Sequence, residues 1–327
     1  MALLGNESAR DALAAAMASG VLHHAWLIAG PEGVGKGTFA RVAAARMLAE
    51  AAEPHKLSPG WGIPDTSQTA HLIAAGAHPD YRELVRLPKD AAKPDEALAR
   101  SITIAQVRSL QPLFATKPSL SNRRVIVIDS IDDLERGGAN ALLKNLEEPP
   151  TGTIFLLVSH APGQLLPTIR SRCRLLRFEA LSAEQVAGIV RGALPDASAS
   201  EIDALVRAGE GSPGRALGFA GLDLAALEKE MAALAESGDP SNAVRSRLAK
   251  SLGAKAAQPR YEAFLQRSPS FIAEQARTRS GEPLRIALDA YAAARELAEA
   301  AIGLSLDAGA TVFEMSGLIA RLAPRTA

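Results

Sequence analysis

The stretch Gly30-Pro31-Glu32-Gly33-Val34-Gly35-Lys36-Gly37-Thr38 constrains this chain more than any other. Its spacing matches the phosphate-binding loop G-x-x-x-x-G-K-[ST] at every position but the last. In such a loop the glycines let backbone N–H groups wrap phosphates, the following helix points its N-terminus at them, the lysine adds charge, and the hydroxyl ligates Mg²⁺. The context fits. His23–Ala29 reads as a buried strand, and apolar residues recur at helical spacing through Phe39, Val42, Ala43, Ala45 and Leu48. The hydroxyl position, however, holds Gly37, and Thr38 is rotated about 100° around the helix, so it cannot simply take over. These residues leave open a working nucleotide site or the remnant of one.

The segments around the loop predict a parallel sheet. Arg124-Val125-Ile126-Val127-Ile128-Asp129 is an apolar, β-branched run of the kind buried on both faces. Asp129 at its end stands where the Mg²⁺-side carboxylate of a P-loop ATPase sits. The next residue is Ser130, where a hydrolytic member would place a water-activating Glu. Ile154–Ser159 is another apolar strand, Arg82–Leu87 alternates like one, and Thr168–Phe178 reads as a short basic helix end running into a strand. Between them, Glu7–Ser19, Ile102–Leu113 and Ala139–Glu148 carry helical periodicity, the last stopped by Pro149-Pro150. Strands alternating with helices imply an α/β layer with helices on both faces. Ala51–Asp80, rich in Pro, Gly and Ser, is a surface loop or small subdomain, and Lys89–Glu96 is a polar linker.

Past residue 180 the pattern becomes helical. Ser182…Gln185 and Ser198…Glu201 are capping-box spacings, and Ser212-Pro213 supplies an N-cap and an N1 proline. From Asp223 the chain is rich in Ala and Leu, and Leu284, Leu288, Tyr291, Ala294 and Leu297 mark an apolar stripe. The expected division is an α/β P-loop domain over 1–179, a small helical domain over 180–222 and a helical bundle over 223–327.

Composition excludes several classes. Lys+Arg and Asp+Glu are 36 each, so net charge gives no reason for the whole chain to coat nucleic acid or an anionic membrane. No basic-then-apolar leader or membrane-length run is present, which implies a cytoplasmic protein. The single Cys173 rules out an internal disulfide framework, and His55, His71 and His78 lack ligand spacing and read as solvated. Aromatic content of 4% argues against a single-strand stacking surface.

Gly30–Thr38, Val125–Asp129, the block Asn140-Ala141-Leu142-Leu143-Lys144-Asn145-Leu146-Glu147-Glu148-Pro149-Pro150, and Ser171-Arg172-Cys173 together resemble the bacterial DNA polymerase III clamp-loader branch of the AAA+ ATPases. The last two motifs are the specific ones, since generic P-loop proteins have neither; the match runs over about residues 3–220. The resemblance implies an AAA+ domain, a helical lid and a C-terminal collar. Its nucleotide residues would be Gly30, Gly33, Gly35, Lys36, Gly37, Thr38 and Asp129, with Ser159 or His160 as the strand-end polar sensor. Arg172 would be an arginine finger offered to a neighbouring subunit's nucleotide. In the lid, Arg215 of Gly211-Ser212-Pro213-Gly214-Arg215 is one place later than a lid arginine sensor stands in motor subunits. ATP, with Mg²⁺ if bound, is the implied cofactor. Many members carry a four-cysteine zinc module, but Ala51–Gly76 contains no cysteine, so no zinc is expected. The implied partners are the motor and delta subunits in a hetero-oligomeric ring, and through it the sliding clamp and primed DNA. The expectation is a non-hydrolysing subunit. The alternatives are an active AAA+ ATPase subunit and a small-molecule P-loop kinase, for which no arginine-rich acceptor lid is visible.

Overall fold

A computed structural model describes residues 3–90, 92, 98–304 and 306–324, in two compact units, Met1–Leu181 and Ser182–Ala327. Of the expected polar linker, residues 91 and 93–96 lie outside the described residues.

In the first unit, β1 (Ala25–Ala29), β2 (Tyr81–Val85), β3 (Arg124–Asp129), β4 (Thr153–Ser159) and β5 (Arg174–Arg177) form one parallel sheet in the order β2-β3-β4-β1-β5. Every residue of β1 and β4 is buried, as are the first five of β3, because helices cover both faces and leave no side for polar alternation. Around the sheet lie α1 (Glu7–Ala18), α2 (Lys36–Ala52), α3 (Gln68–Ala74), α4 (Ile104–Arg108), α5 (Gln111–Phe114), α6 (Arg136–Glu147) and α7 (Pro167–Arg170). Helix α2 packs on β3 and β4, and α4 packs on α6. The core joins Leu27, Ile126, Ile128, Phe155 and Leu157 of the strands to Leu142 and Leu146 of α6.

One expectation is corrected here. The single helix over Ile102–Leu113 is two short ones, α4 and α5. Thr103 and Gln106 close a capping box at the start of α4, but Pro112 has no N–H to donate to Arg108 one turn back, so the α-helical ladder breaks at Ser109-Leu110. The spacing of Ile104, Val107 and Leu110 still serves the core, where Val107 and Leu110 are buried.

The second unit is helical: α8 (Ala183–Ala193), α9 (Ala199–Gly209), α10 (Pro213–Gly218), α11 (Leu224–Ser237), α12 (Ala243–Leu252), α13 (Gln258–Ala276), α14 (Gly281–Gly303) and α15 (Ala308–Ala320). Ser182 and Gln185 cap α8 reciprocally, and Ser212 caps α10 with Pro213 at its first position. At α9 only half of the expected box forms: Ser198 accepts from the Glu201 N–H, and its side chain also bonds Ser200. Four residues of the expected stripe on α14, Leu284, Tyr291, Ala294 and Leu297, lie on the core, and Leu288 does not. Leu288 is 53% exposed, and the fully buried face is Ala287, Ala290 and Ala294. Alanines let neighbouring helices approach closely, so the smallest residues sit deepest against the core around Phe264, Ile272 and Met315, while Leu284, Tyr291 and Leu297 pack on it half-buried. Among the described residues no helix is long and apolar enough to cross a membrane.

Candidate nucleotide site and arginine finger

The loop from β1 to α2 has the backbone a phosphate cradle needs. Gly30, Gly33 and Gly35 have φ of 154°, 74° and 92°. At Gly35, the N-cap of α2, only a glycine adopts that conformation without strain. At Gly30 a Cβ would lie 2.0 Å from the carbonyl oxygen of Phe178, so β5 and the loop can touch only because there is none. The Gly30 N–H donates to the carbonyl of Ser159 at 3.2 Å, tying the loop to the end of β4.

Lys36 is 2% exposed. Its ammonium donates to the Gly30 carbonyl at 2.7 Å and to the Pro31 carbonyl. Burial pushes its pKa down to about 8, against the opposing pull of Asp129, Asp132 and Glu32. The charge is thus turned onto the loop's own carbonyls. Thr38 lies half-buried in the first turn of α2.

The metal side of the loop is arranged differently. A Cβ on Gly37 would meet Asp129 Oδ2 at 2.0 Å, so the carboxylate fills the space a Ser or Thr side chain would need. The same Oδ2 accepts from Arg41 Nη1 at 3.2 Å, and that nitrogen also donates to Glu83 Oε1 at 2.6 Å. Burial works against the charge on Arg41, but Glu83, Asp129 and Tyr81 outweigh it and raise its pKa. The Tyr81 hydroxyl donates to the other Glu83 oxygen at 3.1 Å. The residues present therefore fit a phosphate at the loop backbone and do not fit a hydrated divalent cation beside it.

Ser159 is fully buried, and its hydroxyl donates to Asp132 Oδ1 at 2.8 Å. The N–H groups of His160 and Ala161 donate to the same carboxylate at 2.6 and 3.3 Å. Sequence reasoning missed Asp132 and Arg41. The acid pair Asp132-Asp133 just after a strand-end aspartate was the available signal for the first; for Arg41 the signal was a cation one turn after Gly37 on the same helix face.

Arg172 follows α7, whose last turn leaves its carbonyls free to accept. Its Nη1 donates to the Thr168 carbonyl at 2.8 Å and its Nη2 pairs with Glu147 Oε1, at the end of α6, at 2.7 Å. The side chain remains 32% exposed. Arg170, Arg174 and Arg177 around it are exposed, with Arg174 lying over the Trp26 ring. Burial pushes the adjacent Cys173 thiol up to about 12. The structure thus gathers the loop, Lys36, Gly37, Asp129 and Ser159 at one end of the sheet, while Arg172 is anchored by Glu147 and Thr168. Arg215 belongs to the second unit, where it pairs with Glu210 at 2.5 Å and donates to Ser270 at 3.2 Å.

Comparison with known proteins adds four findings. The family described as "DNA polymerase III, delta subunit" matches residues 5–182, more than half of the chain. The delta' subunit of DNA polymerase III from Pseudomonas aeruginosa is 36% identical over 190 residues, 58% of this chain and 53% of that one. The delta' subunit from Escherichia coli is 32% identical over 228 residues, 69% of this chain and 64% of that one, so the match spans between half and two thirds of these relatives. Among solved structures, a gamma subunit-related protein of DNA polymerase III from Thermotoga maritima aligns over 94% of this chain and 98% of its own, with 15% identity and a TM-score of 0.43.

Proposed function

The chain belongs to the delta-prime family of DNA polymerase III clamp-loader subunits, and from that premise we propose that it acts in the loader without hydrolysing ATP itself, giving Arg172 to the nucleotide of a neighbouring subunit. The observation that carries this reading is the contrast at Arg172: its guanidinium is held by Glu147 and Thr168 yet remains partly exposed, while Asp129 is committed to Arg41. An arginine reaching a neighbour's γ-phosphate stabilises charge that develops only in the transition state. In this reading the loop of Gly30, Gly33, Gly35, Lys36, Gly37 and Thr38 is a scaffold, able at most to hold a nucleotide's phosphates. Ser159 is the polar end of β4, Arg215 is spent on its own unit, residues 180–222 act as a lid, and 223–327 form the collar. The partners are the motor and delta subunits and, through them, the sliding clamp on primed DNA, in the cytoplasm.

The test is ATP turnover by the purified chain and by the reconstituted loader. The isolated chain is expected to show none, and Arg172→Ala is expected to remove most of the complex's turnover while leaving assembly intact. Unchanged complex turnover in that variant would sink the finger role. Steady turnover by the isolated chain, abolished by Lys36→Ala, would establish an active ATPase instead.

A further inference from the structure

The metal side of the phosphate loop has a cation of its own. Asp129 ends β3, and Glu83 lies on the adjacent β2, where Val85 pairs with Asp129 and Glu83 pairs with Val127. Alternation along a strand puts residues two apart on one face, so Glu83 and Asp129 present their carboxylates to the same side of the sheet. Helix α2 crosses that side. Arg41 stands one turn after Gly37 on α2 and sends a single nitrogen, Nη1, between the two acids at 2.6 and 3.2 Å. Tyr81, on the same face of β2, holds the second oxygen of Glu83 and keeps the pair in place.

Gly37 and Arg41 explain one another. The carboxylate that accepts from Arg41 comes to within 2.0 Å of where a Cβ at residue 37 would stand, and Arg41 Nη2 is 3.3 Å from that point. A serine or threonine here would push Asp129 off Arg41, and an oxygen-ligated divalent ion would meet a guanidinium in its place. We propose that Arg41 replaces the divalent metal of this phosphate loop, held between Asp129 and Glu83, so that the site excludes Mg²⁺ and any phosphate ligand binds it independently of the metal. The loss of the Ser/Thr hydroxyl is then one half of a paired change whose other half is an arginine already in the cation's position. This deepens the reading that the loop does not turn over ATP, and its test does not involve Arg172, so the two can fail separately.

The experiment uses the full chain and Mn²⁺ as the probe, read by the electron paramagnetic resonance signal of free Mn²⁺, with circular dichroism to confirm folding. Wild type is expected to leave the signal unchanged. Arg41→Ala frees two carboxylates and should tighten Mn²⁺ binding by at least about tenfold, the scale expected when a unit charge is removed near a divalent ion. Arg41→Ala/Asp129→Asn should lose that gain, and Arg41→Lys, which keeps the charge, should go on excluding the ion. Arg41→Gln, which keeps a donor for Glu83, is measured alongside so that a folding failure of the alanine variant leaves the comparison standing. Mn²⁺ uptake by wild type that Asp129→Asn removes, or neutral Arg41 variants that bind no more than wild type, would overturn the proposal.

Discussion

Lys36 and Arg172 are both cations held within one α/β unit, but they are held in opposite ways. Lys36 is 2% exposed and spends its ammonium on the carbonyls of its own loop, beside an aspartate already paired with Arg41. Arg172 is a third exposed, fastened by one ion pair to Glu147 and one hydrogen bond to Thr168. An exposed ion pair is worth only about 0–1 kcal/mol, since water competes for both charges. Exchanging Glu147 for an anion on another chain therefore costs little. Taking Lys36 away from its carbonyls requires its ammonium to be offered an equally good acceptor in a buried place. A buried, internally satisfied charge serves its own fold, whereas a charge parked at the surface is available to a partner.

The largest expected effect tests that difference in the assembled loader. Arg172→Ala should lower ATP turnover by about 10³-fold or more, the scale of a lost arginine finger. Lys36→Ala in the same subunit should leave turnover unchanged. Equal losses from the two variants would erase the contrast.

Next comes the buried network behind the loop. Asp132→Ala removes the acceptor for the Ser159 hydroxyl and for the N–H groups of His160 and Ala161. Leaving the buried Ser159 hydroxyl and two half-buried N–H groups without a charged acceptor should cost about 3 kcal/mol of stability in urea unfolding.

Lys36 should also leave a signature in the pH dependence of stability. Its pKa is about 8 in the folded chain against an ordinary 10.5, so between those values the unfolded chain binds more protons. Stability should therefore rise as pH climbs from about 8 toward 10.5, by an amount on the order of 2 kcal/mol. Lys36→Met should flatten that rise, and a slope unchanged in the variant would mean that the lysine keeps its proton. The smallest effect belongs to Glu147→Gln, which should change stability by less than about 1 kcal/mol. A larger loss would show that Arg172 is a structural group and not a redeployable one.

Much of this arrangement is legible along the chain because it is local. The strand, loop and helix around Gly30–Thr38 follow from a buried run, glycine spacing and helical periodicity within about thirty residues. The caps at Ser182 and Ser212 are local too, since each side chain bonds a backbone N–H three residues on. Periodicity was less informative where small or ring-closed residues decide the outcome. Pro112 divides an apolar stripe into two helices, and on α14 the buried face belongs to alanines that carry little hydrophobic signal.

The sequence by itself determined that a glycine-rich loop opens helix α2, that Asp129 ends a buried strand, and that position 37 carries no hydroxyl and position 130 no carboxylate. Only the tertiary structure decided what stands in their place. Arg41 meets Glu83 across 42 positions and Asp129 across 88, and Asp132 meets Ser159 across 27. Such pairings depend on strand order and register, which bring distant residues to one face of a sheet, and no local preference of either partner encodes them.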